Sequence, residues 1–163
     1  MAALLSTTDL SDEYGPDALV ANLLFQDYGA VSMFSGPIAT LWTFEDNGMV
    51  RTLLETPGEG RVLVVDGGGS LNCALVGGNL GKLAEDNGWS GVVVHGGVRD
   101  RAELAQCKTG IKALGHTPRK SQKRGIGNAN IPVKFAGITF LPGDYLYADL
   151  DGIVVLPARG KRS

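Results

Sequence analysis

An arginine and an aspartate, Arg99 and Asp100, follow a short apolar and glycine-rich run in the chain. A guanidinium group can bind a carboxylate through two parallel hydrogen bonds, and a carboxylate is an oxygen ligand of the kind that Mg²⁺ or Mn²⁺ prefers. The pair therefore predicts a site for a small oxo acid, with Arg99 on the acid and a divalent metal ion on Asp100. The alternative is structural: Asp100 and Glu103 resemble a helix capping box, and Arg99 would form a surface ion pair.

A glycine-rich turn earlier in the chain could supply the other half of such a site. Its residues are Gly77, Gly78, Asn79 and Leu80, and the apolar spacing beyond them predicts that they form the first turn of a helix. A first turn presents free N–H groups at the positive end of the helix dipole, which favours a bound carboxylate or phosphate. Glycine also lets a ligand approach the backbone closely. We therefore predict that these four residues bind the substrate.

Two predicted strands bring these segments together. Residues 61–65 and 92–94 are apolar runs, typical of strands covered on both faces, and the second strand is expected to stop at Gly96 and Gly97. A helix between two such strands predicts that they are parallel. Because the carboxyl ends of neighbouring parallel strands lie at one edge of a sheet, the glycine turn and the Arg99–Asp100 pair should meet there.

The rest of the chain adds short helices and many strands. Thr7 and Thr8 followed by Asp9, Asp12 and Glu13 predict the acidic first turn of a short helix. Asp46 is expected to cap another helix that ends before Pro57. Further strands are predicted at residues 34–44, 111–114, 133–135, 138–141, 145–147 and 153–156. The predicted fold class is α/β: a sheet flanked by helices, with a second β-layer formed by the C-terminal hairpins.

The composition fits a single domain over residues 1–163. The chain has 163 residues, of which 44% are hydrophobic, enough for one core. No apolar run approaches the roughly 20 residues that a membrane span needs. Two cysteines, Cys73 and Cys107, are too few for a disulfide scaffold or a four-ligand zinc site, so we expect a cytoplasmic protein in which both are buried. His95 and His116 read as unpaired residues that pack in the interior or lie on the surface.

Charge is unevenly distributed. Residues 1–60 hold nine acids and one base, whereas residues 61–163 hold fourteen bases and eight acids. Between Lys108 and Lys134 there are seven basic residues and no acid. This stretch is interpreted as a solvated loop or one that faces the acidic half of a neighbouring copy, with an RNA or other anionic surface as the alternative. The net charge of −2 and the lack of aromatic residues in the stretch argue against direct nucleic-acid binding.

The glycine-rich segments do not match nucleotide-binding motifs. Asn72 stands where the G-x-G-x-x-G motif needs its third glycine. Val76 and Leu83 stand where a P-loop needs glycine and a serine or threonine. A dinucleotide or nucleoside triphosphate is therefore not expected.

Several runs together make the chain similar to a known family. They are Phe44–Gly48, Arg61–Leu71, Leu75–Leu80 and Gly143–Ile153. The chain resembles the regulator of ribonuclease activity A and the related 4-hydroxy-4-methyl-2-oxoglutarate aldolases over residues 7–156. The resemblance implies a swivelling β/β/α domain similar to phosphohistidine domains. It also implies a homotrimer, with a dimer of trimers as the alternative, and sites near the subunit interfaces.

One motif separates the branches of this family. Members with aldolase activity carry a glycine, twenty residues, Arg-Asp, two residues and an acid, which match Gly78, Arg99, Asp100 and Glu103 here. The ribonuclease regulator lacks the aspartate beside the arginine. The resemblance therefore implies a metal-dependent aldolase that releases pyruvate from 4-hydroxy-4-methyl-2-oxoglutarate, with oxaloacetate decarboxylation as a companion activity.

The resemblance also implies a role for each of these residues. Asp100 would hold Mg²⁺ or Mn²⁺, Arg99 would bind a small 2-oxo acid, and Glu103 would orient the site without touching the substrate. Longer aldolase members carry an acid where this chain has Asn79, so the general base is unassigned. The alternative function is a non-catalytic regulator that binds and inhibits an RNA-degrading endonuclease of the ribonuclease E type.

Overall fold

The chain folds into a mixed α/β structure, seen in a computed structural model that describes residues 5–158. Its α-helices are α1 (Thr7–Tyr14), α2 (Gly48–Leu54), α3 (Gly78–Asp86) and α4 (Arg101–Leu104). Its strands are β1 (Leu19–Val20), β2 (Gln26–Asp27), β3 (Phe34–Trp42), β4 (Val62–Asp66), β5 (Ala74–Val76), β6 (Gly91–Val98), β7 (Gly110–His116), β8 (Asn128–Ala129), β9 (Val133–Phe135), β10 (Ile138–Phe140), β11 (Tyr145–Asp149) and β12 (Gly152–Leu156). The predicted class, a mixed sheet with flanking helices, is confirmed.

The long strand β3 joins the two halves of the main sheet. Residues 34–37 of β3 pair antiparallel with β11, whereas residues 38–42 pair parallel with β4. Beyond β4 the sheet continues through β6 and β7, which are parallel neighbours. Beyond β11 it continues through β12 and β1, which are antiparallel. The predicted parallel pairing of the two apolar strands, β4 and β6, is confirmed.

Both faces of the parallel strands are covered by hydrophobic cores. Along β4, Leu63 and Val65 belong to the core under the helices, which also contains Leu80 of α3. Val62 and Val64 belong to the core shared with the C-terminal β-layer. These four residues of β4, Val62 to Val65, are fully buried. This two-sided burial explains why the strand is a continuous apolar run rather than an alternating one.

Strand β6 extends further than the sequence predicts. It does not stop at Gly96 and Gly97 but runs to Val98. The glycines stay in the sheet because Gly97 pairs with Ala74 of β5 on one side and with Gly115 of β7 on the other, after a register shift. Strand β5 has three residues, too few to show a pattern in the sequence. The extension of β6 delivers the next two residues, Arg99 and Asp100, to the start of α3.

The predicted cap of α2 is wrong by one residue. The helix starts at Gly48, and Asn47 rather than Asp46 occupies the N-cap position. Asp46 Oδ1 does accept the Gly48 N–H at 3.0 Å, but the same carboxylate also binds a distant loop. The short helix predicted near Thr7 is present as α1. Within the described residues, no helix is long and apolar enough to span a bilayer.

Candidate active site

A cleft of about 270 Å³ opens where β3, β5, β6 and β7 end. It is lined by Asn47, Gly48, Arg51, Ala74, Gly77, Asn79, Leu80, Arg99, Asp100, Lys120, Ser121 and Lys123. The structure thus brings the Arg99–Asp100 pair to the predicted glycine turn. Of the four turn residues, Gly78 does not line the cleft.

The backbone at Asp100 turns its carboxylate towards the start of α3. The Arg99 N–H donates to the Val76 carbonyl at 3.0 Å, which joins the end of β6 to the end of β5. Asp100 then adopts a left-handed conformation, with φ of 61°, that is uncommon for a residue with a side chain. Its Oδ2 accepts the Gly78 N–H at 2.9 Å. The side chain makes no capping hydrogen bond to its own helix α4, so the capping-box alternative is not what the structure contains.

The glycine turn is close-packed against this carboxylate. A Cβ atom at Gly77 would lie 2.8 Å from Asp100 Oδ2, and a Cβ atom at Gly78 would overlap the carboxylate of Glu103. The absence of side chains at these two positions therefore lets both acids approach the backbone of α3. Gly78 is thus far from Arg99 and Glu103 in the sequence, but they come together in the fold, where the start of α3 packs against the turn between β6 and α4.

Arg99 is half-buried beside the aspartate. Its Nη1 donates to the Pro118 carbonyl at 3.4 Å, and its Nε lies 4.0 Å from Asp100 Oδ2. A guanidinium group has five N–H donors, so most of them remain for an anionic ligand in the cleft.

One side of the cleft is lined by basic residues, here called the basic wall. The sequence does not predict that these residues belong to the site. The basic wall consists of the segment 119–125, which carries Lys120 and Lys123 into the cleft, and of Arg51 on α2. The sequence marks this segment only as a basic run. Its place at the site depends on contacts with residues far away along the chain.

Backbone hydrogen bonds fix the segment 119–125 to both sides of the cleft. The Ala74 N–H donates to the Arg119 carbonyl at 2.8 Å, and the Asn47 N–H donates to the Gln122 carbonyl at 2.9 Å. The backbone of the segment is therefore fixed, while its basic side chains are exposed to solvent as the charge pattern predicts.

The buried carboxylate of Asp46 anchors the same segment. It accepts the N–H of Arg124 at 2.6 Å and that of Gly125 at 3.0 Å. Burial alone would raise the pKa of Asp46, but the backbone hydrogen bonds from Arg124, Gly48 and Gly125 outweigh it and lower the pKa. The ionised form of Asp46 thus holds the basic wall in place.

The histidine and the cysteines singled out in the sequence do not line the cleft. His95 is not unpaired, as its Nδ1 lies 3.2 Å from Asp66 Oδ1 and its ring stacks on Phe135. Asp66 also accepts the Gly68 N–H, as expected of a turn cap. Cys73 and Cys107 are buried as predicted, and burial raises the pKa of both thiols.

The donor set of the cleft suits a metal ion that keeps most of its waters. Among the described residues, no three or more His, Cys, Asp and Glu side chains come together as a metal cage. Asp100 is the one carboxylate among the residues that line the cleft, and its side chain is exposed. Mg²⁺ is commonly held by one or two carboxylates together with substrate oxygens and water. These residues therefore fit Mg²⁺ or Mn²⁺, which accept oxygen ligands and water, whereas a closed zinc site would need more side-chain ligands.

Sequence comparison relates the chain to one family and to named proteins. The RraA-like family, described as Aldolase/RraA, matches residues 7–155. Proteins of Burkholderia mallei and Burkholderia pseudomallei with the name "Putative 4-hydroxy-4-methyl-2-oxoglutarate aldolase" are 57% identical over 158 residues, which cover 93% of this chain and 95% of theirs.

Comparison of folds finds similar structures under different names. The RNA-processing inhibitor RraA from Thermus thermophilis has a TM-score of 0.92 and 49% identity, covering 100% of this chain and 99% of that one. A Geobacillus kaustophilus protein named S-adenosylmethionine: 2-dimethylmenaquinone methyltransferase has a TM-score of 0.91 and 44% identity, covering 98% of this chain and 100% of that one. These names describe three activities on one fold, so the choice between them depends on the residues of the cleft.

Proposed function

This chain belongs to the RraA-like family, and from that premise we propose that it is a metal-dependent aldolase that cleaves 4-hydroxy-4-methyl-2-oxoglutarate to pyruvate. Oxaloacetate decarboxylation is the companion activity, because both reactions pass through the enolate of pyruvate. The observation that carries the proposal is the placement of Asp100 and Arg99 together at the start of α3, in a cleft rich in cations.

The cleft favours this activity over a methyl transfer. Four cationic side chains line it, namely Arg51, Arg99, Lys120 and Lys123, against the single carboxylate of Asp100. Such a site attracts a small anionic substrate. S-adenosylmethionine carries a positively charged sulfonium group, which the same cations would repel.

The cleavage transfers one electron pair and one proton. The C3–C4 bond of the substrate breaks, the C4 hydroxyl becomes a carbonyl, and the bond electrons form the enolate of pyruvate from C1, C2 and C3. We assign to Arg99 the binding of the 2-oxo acid and the offsetting of negative charge that develops on its C2 oxygen. The backbone N–H groups of Asn79 and Leu80 bind the adjoining carboxylate.

Asp100 is the residue that would hold the divalent ion, with Glu103 positioning the turn through its contact with Gly78. When bound, Mg²⁺ or Mn²⁺ supplies Lewis-acid polarisation of the 2-oxo group. Among the described residues that line the cleft, no side chain is a histidine and no carboxylate besides Asp100 is present. We assign the proton of the C4 hydroxyl to a water molecule in the cleft, and water returns a proton to C3 of the enolate.

Oxaloacetate tests this function with a simple substrate. With Mg²⁺ or Mn²⁺ present, the protein should release pyruvate from oxaloacetate faster than the metal ion alone does. Pyruvate is measured in a coupled assay with lactate dehydrogenase. EDTA should remove the activity. Arg99→Ala should lower it by about 10²- to 10³-fold, because a charge-stabilising donor is lost.

The neighbouring arginine provides a matched control. Arg101 lies on α4 and does not line the cleft, so Arg101→Ala should retain the rate of the unchanged protein. Pyruvate release no faster than that of the metal ion alone would contradict the proposed function. An equal loss in both arginine variants would contradict the role assigned to Arg99.

A second function is supported by the similarity to the Thermus thermophilis RNA-processing inhibitor. In this alternative the protein binds and inhibits an endonuclease of the ribonuclease E type. The uneven charge, acidic before residue 60 and basic after it, also favours a protein partner. Capture of such an endonuclease with slower RNA cleavage would support this function, and the absence of both would reject it. Asp100→Asn should separate the two roles by removing catalysis and sparing binding.

The organisation of the protein in the cell follows from the family resemblance alone. We propose a cytoplasmic homotrimer, or a dimer of trimers, in which residues 1–163 form one domain. Small 2-oxo acids are its ligands, and no direct contact with nucleic acid or membrane is proposed.

A further inference from the structure

Ser121 has the one buried polar side chain among the described residues that line the cleft. The residue is 6% exposed, and its hydroxyl oxygen lies 3.2 Å from the carbonyl oxygen of the next residue, Gln122. The hydroxyl donates its hydrogen to that carbonyl, whereas the two lone pairs of its oxygen remain as acceptors. The side chain can therefore accept a hydrogen bond from a molecule in the cleft.

Asn47 provides a second neutral acceptor next to this hydroxyl. Asn47 lines the cleft, and its backbone N–H donates to the same Gln122 carbonyl at 2.9 Å. Its side-chain Nδ2 donates to the Leu75 carbonyl at 3.3 Å. Within residues 5–158 no hydrogen bond reaches its Oδ1, so this oxygen is also left as an acceptor. Ser121 and Asn47 are thus joined through one carbonyl and supply two neutral oxygen atoms at the cleft.

The backbone on both sides of Ser121 is fixed. The Gln122 N–H donates to the Glu45 carbonyl at 3.0 Å, and the Ala74 N–H donates to the Arg119 carbonyl at 2.8 Å. Ser121 therefore lies between two points at which its segment is tied to other elements. A side chain that positions a reacting molecule needs such support, because small displacements lower the rate.

The other polar side chains of the cleft are less suited to hold a water molecule that accepts a proton. The lysine and arginine side chains carry N–H donors and no acceptor. Asn79 is exposed, so a water molecule bound to it exchanges with bulk solvent. Asp100 is the residue that would hold the divalent ion. The neutral oxygen atoms of Ser121 and Asn47 remain.

We propose that Ser121 and Asn47 are positioning residues, which hold the water molecule through which the proton moves during aldol cleavage. This inference deepens the proposed function and rests on it, since it assumes a substrate whose 2-oxo group lies at Arg99. As the C3–C4 bond breaks, its electron pair stays on the enolate, and the proton of the C4 hydroxyl passes to the water. The water gives a proton to C3, so it is restored and the products are two molecules of pyruvate.

Two substrates separate this proton transfer from the formation of the enolate. Oxaloacetate loses carbon dioxide from a carboxylate that carries no proton, so its cleavage needs no proton acceptor. The cleavage of 4-hydroxy-4-methyl-2-oxoglutarate needs one for the C4 hydroxyl. Ser121→Ala should therefore lower the kcat of aldol cleavage relative to that of decarboxylation by about 10- to 100-fold. Both rates are measured with Mg²⁺ as substrate consumed.

Hydrogen exchange gives a second measurement of the same proton transfer. With Mg²⁺ in D₂O, the exchange of the pyruvate methyl hydrogens, followed by NMR, reports proton transfer at C3 without any C–C cleavage. Ser121→Ala should slow this exchange by about 10- to 100-fold as well. Asn47→Ala should lower the exchange rate and the ratio of the two kcat values in the same direction.

Thr52→Ala is the matched control for the loss of a hydroxyl. Thr52 is an exposed residue of α2 whose hydroxyl donates to the Gly48 carbonyl at 3.1 Å, and it does not line the cleft. This variant should keep the exchange rate and the ratio of the two kcat values found for the unchanged protein.

The possible outcomes distinguish this inference from the function on which it rests. Equal losses of both reactions in Ser121→Ala would indicate a structural role and overturn the inference. An unchanged ratio and exchange rate in Ser121→Ala, or a lowered ratio in Thr52→Ala, would also overturn it. If the unchanged protein consumes neither substrate, the proposed function is wrong, and the inference with it.

Discussion

Asp100→Asn is expected to abolish metal-dependent pyruvate release while the fold survives. The amide oxygen of asparagine can still accept the Gly78 N–H that Asp100 Oδ2 accepts at 2.9 Å, so the β6–α4 turn should keep its shape. The negative charge that would hold the divalent ion is lost. We expect the rate with oxaloacetate to fall by at least about 10³-fold, close to the rate with the metal ion alone.

Two further measurements decide how this result is interpreted. Circular dichroism and thermal unfolding of Asp100→Asn should match those of the unchanged protein. Glu103→Gln is the comparison variant, because Glu103 contacts Gly78 rather than lining the cleft, and it should lose only about 10- to 100-fold. Activity of Asp100→Asn within threefold of the unchanged protein would show that Asp100 does not hold the metal ion.

Asp46→Ala is expected to give the largest loss of stability among the site residues. The change removes a buried carboxylate that accepts the N–H groups of Arg124, Gly125 and Gly48, and it leaves a gap in its place. We expect the free energy of unfolding to fall by about 2–4 kcal/mol, measured by urea denaturation. Asp86→Ala serves as the control, since that carboxylate is exposed and pairs with Lys82, and its effect should stay below about 0.5 kcal/mol.

The loss of unfolding free energy in Asp46→Ala should depend on pH. Hydrogen bonds lower the pKa of Asp46 in the folded protein, below the value of about 3.9 for an unfolded aspartate. The stabilisation is therefore complete above about pH 4 and is lost as the pH falls through the folded-state pKa. The difference in unfolding free energy between the two proteins should be constant from about pH 7 to 5 and shrink below about pH 4. A difference that grows on acidification would contradict this account of Asp46.

The central strands and the position of Arg99 and Asp100 could be predicted from the sequence, because they depend on local residue patterns. The apolar runs in β4 and β6 require burial on both faces, and the helix between them predicts their parallel pairing. That pairing is enough to place Arg99 and Asp100 near Gly77 at one edge of the sheet.

The rest of the cleft could not be read from local patterns. Strand β5 is too short to show a periodicity, and without it Gly96 and Gly97 look like the end of β6. The basic wall depends on the hydrogen bond that the Asp46 carboxylate accepts from the N–H of Arg124, 78 positions away along the chain. In the sequence, Asp46 is recognisable only as a possible helix cap. Its hydrogen bonds to distant N–H groups follow no fixed sequence spacing, so no local pattern predicts them.

Cleavage of 4-hydroxy-4-methyl-2-oxoglutarate itself tests the central claim most directly. The substrate would be incubated with the protein and Mg²⁺, with EDTA in a parallel sample, and pyruvate would be counted against substrate consumed. Breaking the C3–C4 bond yields two molecules of pyruvate from each molecule of substrate, and we predict this ratio, with no pyruvate in the EDTA sample. Unchanged substrate in the presence of Mg²⁺, or equal cleavage with EDTA, would contradict a metal-dependent aldolase built on Asp100 and Arg99.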